Sequence, residues 1–403
     1  MSVITPTTAA SPTVYRVLFA ISLVHLLNDS LQAVIPAVLP ILKDNLSLSY
    51  FHIGMILLVM NVTASVLQPV IGYVSDRTPR PFLLPLAMLV SGVGMVGIAY
   101  SQHYAFVLLS VACVGIGSAV FHPEASRVAY MASGPRRGLG QSIFQVGGNA
   151  GQALAPLMTV LIFAPLGQAG AAWFTIPAAI ALAVLLYVAT WYLQQQLQRK
   201  KAVSQAASYA YRHKRLTALS LLVLIVSVRS WMHAGYQSFF QFYLIDVQGL
   251  TFSHAQMCVF LFLLAGAVGT FFGGPLADRF GKRNLLILAS LGALPLTLLT
   301  PYVTGIWIYP LLFLTGLILL SSFSVTVVYA QELLPGRIGT VSGLIIGLAF
   351  GMGGIGASVL GHLADLKGIA FVITLCSLMP LIGALGFLLP KDQTLREWER
   401  ETV

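Results

Sequence analysis

The chain has 403 residues, of which 57% are hydrophobic and only 8% charged, whereas an ordinary soluble protein carries about 25% charged residues. Such a composition belongs in a bilayer, and the net charge of +10 has no soluble domain on which a nucleic-acid surface could be built. Cys113, Cys258 and Cys376 sit in apolar stretches without ligand spacing, which predicts reduced packing residues, no disulfide and no metal site.

A membrane-crossing helix needs roughly 20 mainly apolar residues. Punctuating the chain at charges, prolines and glycines places twelve spans near 15–42, 49–74, 82–101, 104–131, 138–163, 169–194, 216–245, 253–277, 284–300, 306–331, 338–362 and 369–390. The expected fold is all-α and integral to the membrane. The polar opening "MSVITPTTAASPT" lacks the positive n-region of a cleaved signal peptide, so residues 1–14 read as a disordered tail. Residues 195–215, "QQLQRKKAVSQAASYAYRHKR", are the only long polar segment and fall midway. They read as a linker between an N-terminal bundle, 15–194, and a C-terminal bundle, 216–390, with 391–403 as a second tail.

Short cytoplasmic loops carry an excess of Lys and Arg. Arg16, Arg77, Arg80, Arg136, Arg137, the cluster Arg199 to Arg215, Arg279, Lys282, Arg283, Arg337, Lys391, Arg396 and Arg400 all fall on one side of the twelve spans, with only Lys43 and Lys367 on the other. Both termini are therefore expected in the cytoplasm.

Along the first span, Ser22, His25, Asn28, Asp29 and Gln32 share one helical face. Polar groups in lipid are costly and face a cavity or a partner. An ionised carboxylate such as Asp29 is the hardest to dismiss: it suits a group that takes up and releases a proton, the alternative being a structural partnership with His25 or an arginine. His25 itself reads equally well as a proton carrier or as a buried histidine bonded to a carbonyl. The fourth span carries His122, Pro123, Glu124 and Arg127 within six residues. Glu124 and Arg127, three apart, can pair on one face, and Pro123 bends the helix there. The functional reading is a switch in which Glu124 releases Arg127 to an anionic substrate when protonated; the plain alternative is a static ion pair. A third polar face, Gln141, Gln145, Asn149 and Gln152, runs along the fifth span, and a fourth, Arg229, His233, Tyr236, Gln237 and Gln241, along the seventh. The first and seventh spans are about 204 residues apart, which makes them equivalent helices around a shared water-filled cleft.

Repeats support this duplication. Gly72, Asp76 and Arg77 in "GYVSDRTPRP" recur as Gly274, Asp278 and Arg279 in "GGPLADRFGKR", and Pro135, Arg137 and Ser142 recur as Pro335, Arg337 and Ser342. Asp76 can pair with Arg77 or Arg80 or with the positive end of a neighbouring helix, so these loops, with Lys282 and Arg283, read as a gate, the alternative being that the charges only report topology. Glu332 is expected to pair with Arg337 there. Gly339, Gly343, Gly347 and Gly351 in the eleventh span, and Gly147, Gly148 and Gly151 in the fifth, read as packing seams along which helices slide.

The loop G-x-x-x-D-R-x-x-R in both halves resembles the helix 2–3 signature of the major facilitator superfamily, and the architecture of the whole chain fits it: twelve transmembrane helices in two six-helix bundles. "HLLND" at 25–29, "FHPEASRVA" at 121–129, "QSIFQVGGN" at 141–149 and "AQELLPGRIG" at 330–339 are similar to the fosmidomycin resistance family. The first loop departs from the pattern at Pro79 and Pro81; the second, with Gly281, Lys282 and Arg283, is regular.

The resemblance implies a bacterial inner-membrane efflux pump that exchanges protons for a small anion such as fosmidomycin, a phosphonate. It needs no cofactor, and no nucleotide-binding loop of Walker type is present. The proton-coupling candidates are Asp29, Glu124, His25 and His122. Arg127 and Arg229 suit a phosphonate through a bidentate fork, with His233, Gln145, Asn149, Gln152, Asn28, Gln32, Gln237 and Tyr236 around its polar chain. A monomer in lipid, with protons and the substrate as its partners, is expected. An uptake symporter for an anionic metabolite would use the same cleft. An intramembrane enzyme using His122 and Glu124 as an acid–base pair would lack a nucleophile or metal cluster, and a channel would not explain the unlike titratable groups of the two halves.

Overall fold

The computed structural model describes residues 12–48, 50–154, 158–199 and 211–400; the expected tail 1–14 and linker 195–215 lie largely outside this range. The helices are α1 (Tyr15–Asn45), α2 (Tyr50–Arg77), α3 (Leu83–Tyr100), α4 (Tyr104–Ala132), α5 (Arg137–Ala153), α6 (Gly167–Gln196), α7 (Arg212–Asp246), α8 (Phe252–Phe280), α9 (Lys282–Leu299), α10 (Gly305–Leu333), α11 (Ile338–Lys367) and α12 (Ile369–Leu378, continued by Met379–Leu388). A short amphipathic helix, α13 (Asp392–Arg400), follows. Its Leu395 and Trp398 are buried, and Asp392 accepts the Lys282 and Arg283 backbone N–H groups at the start of α9 (2.9 and 3.3 Å).

Among the described residues, eleven helices are long and apolar enough to cross a membrane. The twelfth is α5, whose sequence "RGLGQSIFQVGGNAGQA" is too rich in glycine and amide residues to count as apolar. It reads as one span over 138–163, but the helix runs only to Ala153 and is followed by a π-helical turn, Thr159–Phe163. α10 is likewise interrupted at Ser321–Ser322, inside what reads as a continuous span.

The packing inverts the soluble pattern. On α4 the outward row is Phe106, Leu109 and Ile116, which are 58%, 61% and 39% exposed, while Ser110, Ser118 and His122 are buried. Hydrocarbon is as apolar as leucine, so helices associate through close packing and hydrogen bonds rather than through expulsion of water. Four large apolar clusters form; two draw only on residues 14–192 and two only on residues 218–398.

Two seams join these halves. Along α2 and α11, a Cβ on Gly343 would meet the Gln68 carbonyl at 2.5 Å and one on Gly347 the Ser65 carbonyl at 2.6 Å, so only glycine permits this approach. Along α5 and α8, Gly138 faces the Gly274 carbonyl. At the end bearing Arg77, Arg137, Arg279 and Arg337, which we call the basic end, the seams are latched. Asp76 accepts the Gly339 and Thr340 backbone N–H groups at 2.9 and 2.7 Å, and Asp278 accepts those of Gly138 and Leu139 at 3.0 and 3.1 Å. Each carboxylate sits at a helix N-terminus, where free N–H groups and the helix dipole favour an anion.

Candidate functional site

Between the halves lies a cavity of about 290 Å³, walled by α1, α4 and α5 on one side and by α7, α8, α10 and α11 on the other. The polar stripes of the sequence meet here. His25, Asp29 and His122 are 2%, 1% and 0% exposed, and each has a defined hydrogen-bonding role. The His25 Nδ1 lies 2.8 Å from the Phe144 carbonyl, and the His122 Nδ1 lies 2.9 Å from the Ser118 carbonyl. A carbonyl only accepts, so both rings carry a proton on Nδ1, and a ring in its neutral form presents a bare Nε2. The two Nε2 atoms lie 3.5 and 3.4 Å from Asp29 Oδ1. Two lone pairs beside a carboxylate oxygen repel one another unless a proton or another cation is placed among them. Three ligand atoms within 4.8 Å of one another are close enough to share it.

Asp29 is held for this role by amides. It accepts from Asn28 Nδ2 (2.9 Å) and Gln32 Nε2 (3.1 Å) at Oδ1, and from Gln152 Nε2 (3.0 Å) at Oδ2. Glycine at 148 is what lets α5 pass the His25 ring, against which a Cβ would press.

Across the cavity Arg229, 7% exposed, donates to Ser322 Oγ at 2.6 Å and Thr326 Oγ1 at 3.1 Å. No carboxylate pairs with it among the described residues. A buried guanidinium held by hydroxyls, with donors left over, is a seat for an anion. His233, Gln237, Gln145 and Asn149 line the space around it, with Phe323 and Phe350 as apolar walls.

Several expected residues lie elsewhere. Arg127 is absent from the cavity wall: it pairs with Asp76 and donates to the Ser75 carbonyl at 3.0 Å, so it belongs to the latch. The pair Glu124–Arg127 is not formed, because the arginine reaches across to α2; Glu124 is fully buried away from the cavity. Glu332 pairs with Lys282 (3.1 Å) and Arg137 (4.0 Å) instead of Arg337. Arg77 lies over the Tyr73 ring, 4.3 Å from its centroid, and Arg80 is exposed; neither holds Asp76. Arg283 donates to the Gly386 carbonyl at 3.2 Å, and Arg279 packs over the Phe280 ring. Tyr236 stacks in the core and bonds Thr300 Oγ1 at 2.9 Å, so it is packing. Asn28 and Gln32 serve Asp29 and do not line the cavity. Conversely, Ser118, Thr270, Ser322 and Thr326 escape a search for charged or amide stripes, since hydroxyls in apolar helices routinely bond their own backbone.

A twelve-helix bundle with a polar central cavity and one latched end defines a membrane transporter, not an enzyme. The chain belongs to the Major Facilitator Superfamily, whose family model matches residues 18–357. It is 49% identical over 390 residues to the uncharacterized MFS-type transporter YfnC of Bacillus subtilis, covering 96% of this chain and 95% of that protein. It is 44% identical over 387 residues to the fosmidomycin resistance protein of Escherichia coli, with the same coverage. Among solved structures, the transporter FucP in its outward conformation superposes with a TM-score of 0.74 at 16% identity, covering 93% of this chain and 98% of that one.

Proposed function

We propose that this protein exports small anionic compounds such as fosmidomycin across the bacterial inner membrane in exchange for protons. The observation that carries the reading is Arg229, a buried guanidinium facing the cavity without an acidic partner among the described residues. The 44% identity to the fosmidomycin resistance protein of Escherichia coli supports the same reading. The phosphonate would sit on Arg229, and the coupling proton would sit among Asp29, His25 and His122. Of the two carboxylates first considered, Asp29 is favoured because it lines the cavity and Glu124 does not.

With the basic loops and both termini in the cytoplasm, the latched basic end is the state shut off from the cytoplasm. The bundles 15–194 and 216–390 then rock as two bodies of one monomer about the glycine seams, exposing the cavity to each side in turn. A proton entering while a monoanion leaves moves two charges inward, worth about 4.6 kcal/mol per 100 mV, so expulsion of the anion is strongly driven.

The test uses everted membrane vesicles with a respiratory pH gradient, followed by a pH-sensitive dye as fosmidomycin is added. Collapse of the gradient by wild type and not by Asp29→Asn is expected. Equal collapse by both would move the proton elsewhere, and silence from wild type would reject the exchange. Uptake of the drug into right-side-out cells against its gradient would replace efflux with symport.

A further inference from the structure

The proton cluster and the anion seat belong to different halves of the chain, and hydrogen bonds linked through the backbone of α5 and of α10 join them. Gln152 on α5 donates to Asp29 Oδ2 at 3.0 Å. One turn away on the same helix, Asn149 Nδ2 donates to Thr270 Oγ1 on α8 at 3.2 Å. The Thr270 hydroxyl in turn donates to the Leu320 carbonyl at 3.0 Å. Leu320 adjoins the interruption of α10 at Ser321–Ser322, and Ser322 is the residue that seats Arg229. Thr270 is fully buried, and its single hydroxyl proton is committed to the Leu320 carbonyl, so it cannot donate to a substrate while that bond stands.

We propose that Thr270 is a positioning residue that ties proton occupancy at Asp29 to the geometry of the Arg229 seat, with Gln152 and Asn149 of α5 as the intermediate lever. This rests on the proton-exchange reading above. The titratable groups facing Asp29 are His25 and His122, and those across the cavity are Arg229 and His233. A proton on the cluster removes the charge that strengthens the Gln152 bond and loosens α5 from α1. The helix then shifts against α8, and the Asn149–Thr270 bond carries that shift to the break in α10.

Thr270→Val removes the hydroxyl at nearly constant shape, and Thr270→Ser keeps it. In the valine variant, fosmidomycin binding by calorimetry should stay within about twofold while the drug-dependent collapse of the pH gradient falls about tenfold. The serine variant should restore it. Asn149→Leu breaks the same Asn149–Thr270 link, so the drug-dependent proton signal should fall about tenfold in it as well, and the signal of the double variant should be no lower than that of either single one. If Thr270→Val fails to reach the membrane, Thr270→Ala decides by the same readouts. A wild-type ratio of proton signal to binding in the valine variant overturns the proposal, as does a loss of binding as large as the loss of signal. A wild type that gives no drug-dependent signal overturns the proton-exchange reading itself, an outcome separable from failure of the variants in a responding background.

Discussion

The contact of α1 with α4 and that of α7 with α10 occupy equivalent places in the two halves, yet they hold opposite chemistry. About 204 residues separate His25 from Arg229, Ser118 from Ser322 and His122 from Thr326. In the first contact two imidazoles face a carboxylate; in the second, one guanidinium faces two hydroxyls. Asp29 has His233 as its counterpart, so the second half holds no carboxylate at this level. Equivalent positions in the two halves thus carry unlike polar groups. In the proposed exchange one niche would change charge with a proton, and the other would keep a fixed positive charge, since arginine stays protonated under physiological conditions.

That division predicts which parameter each residue controls. Arg229→Met should have the largest effect. Two charge-assisted hydrogen bonds to the substrate, at about 1.5–3 kcal/mol each, amount to a hundredfold or greater loss of fosmidomycin affinity in calorimetry. Arg229→Lys should recover only part, because an ammonium cannot span the headgroup and both hydroxyls at once. His122→Gln should do the reverse: affinity within about threefold of wild type, and a drug-dependent proton signal reduced about tenfold, as expected when a shared proton site loses one partner. Equal losses of affinity in the two variants would erase the distinction between the niches.

The bundle and the four polar faces were legible because both are periodic: apolar runs of membrane length, and polar residues three and four apart on one face. The twelfth helix was legible only as a member of the series, since α5 carries too many glycine and amide residues to pass as apolar. Those residues are what let it lie against α1 and bond to α8. Asp76 was read as able to meet the positive end of a neighbouring helix, and it does so at α11; other pairings between elements were not legible. Spacing along α4 offered Arg127 to Glu124, but a guanidinium on a long stem reaches the neighbouring helix, and Asp76 was already placed at the N-terminus of α11. The same holds for Glu332, which met Lys282 from another loop instead of Arg337 five residues on. Hydroxyl partners such as Thr270 and Ser322 carry no signal above the background of serine and threonine in apolar helices.

The two latches at the basic end extend the comparison to a smaller energy scale. Asp76 accepts two backbone N–H groups and the Thr340 hydroxyl, and also pairs with Arg127. Asp278 accepts two backbone N–H groups only. The residue of the second half equivalent to Arg127 is Gln331, which donates to Ser342 Oγ at 2.8 Å and leaves Asp278 without a cation. Removing the charge at Asp76 should therefore cost the closed state about 2–3 kcal/mol, since a helix-terminus charge and a partly buried pair are lost together. At Asp278 the helix-terminus contribution alone, about 1 kcal/mol, is lost. Amide hydrogen exchange reads both directly. Asp76→Asn should speed exchange over residues 338–342 by on the order of thirtyfold or more, and Asp278→Asn over 137–141 by about fivefold. Equal acceleration at the two sites would mean that Arg127 adds nothing to its latch, and that the unlike halves open as if they were alike.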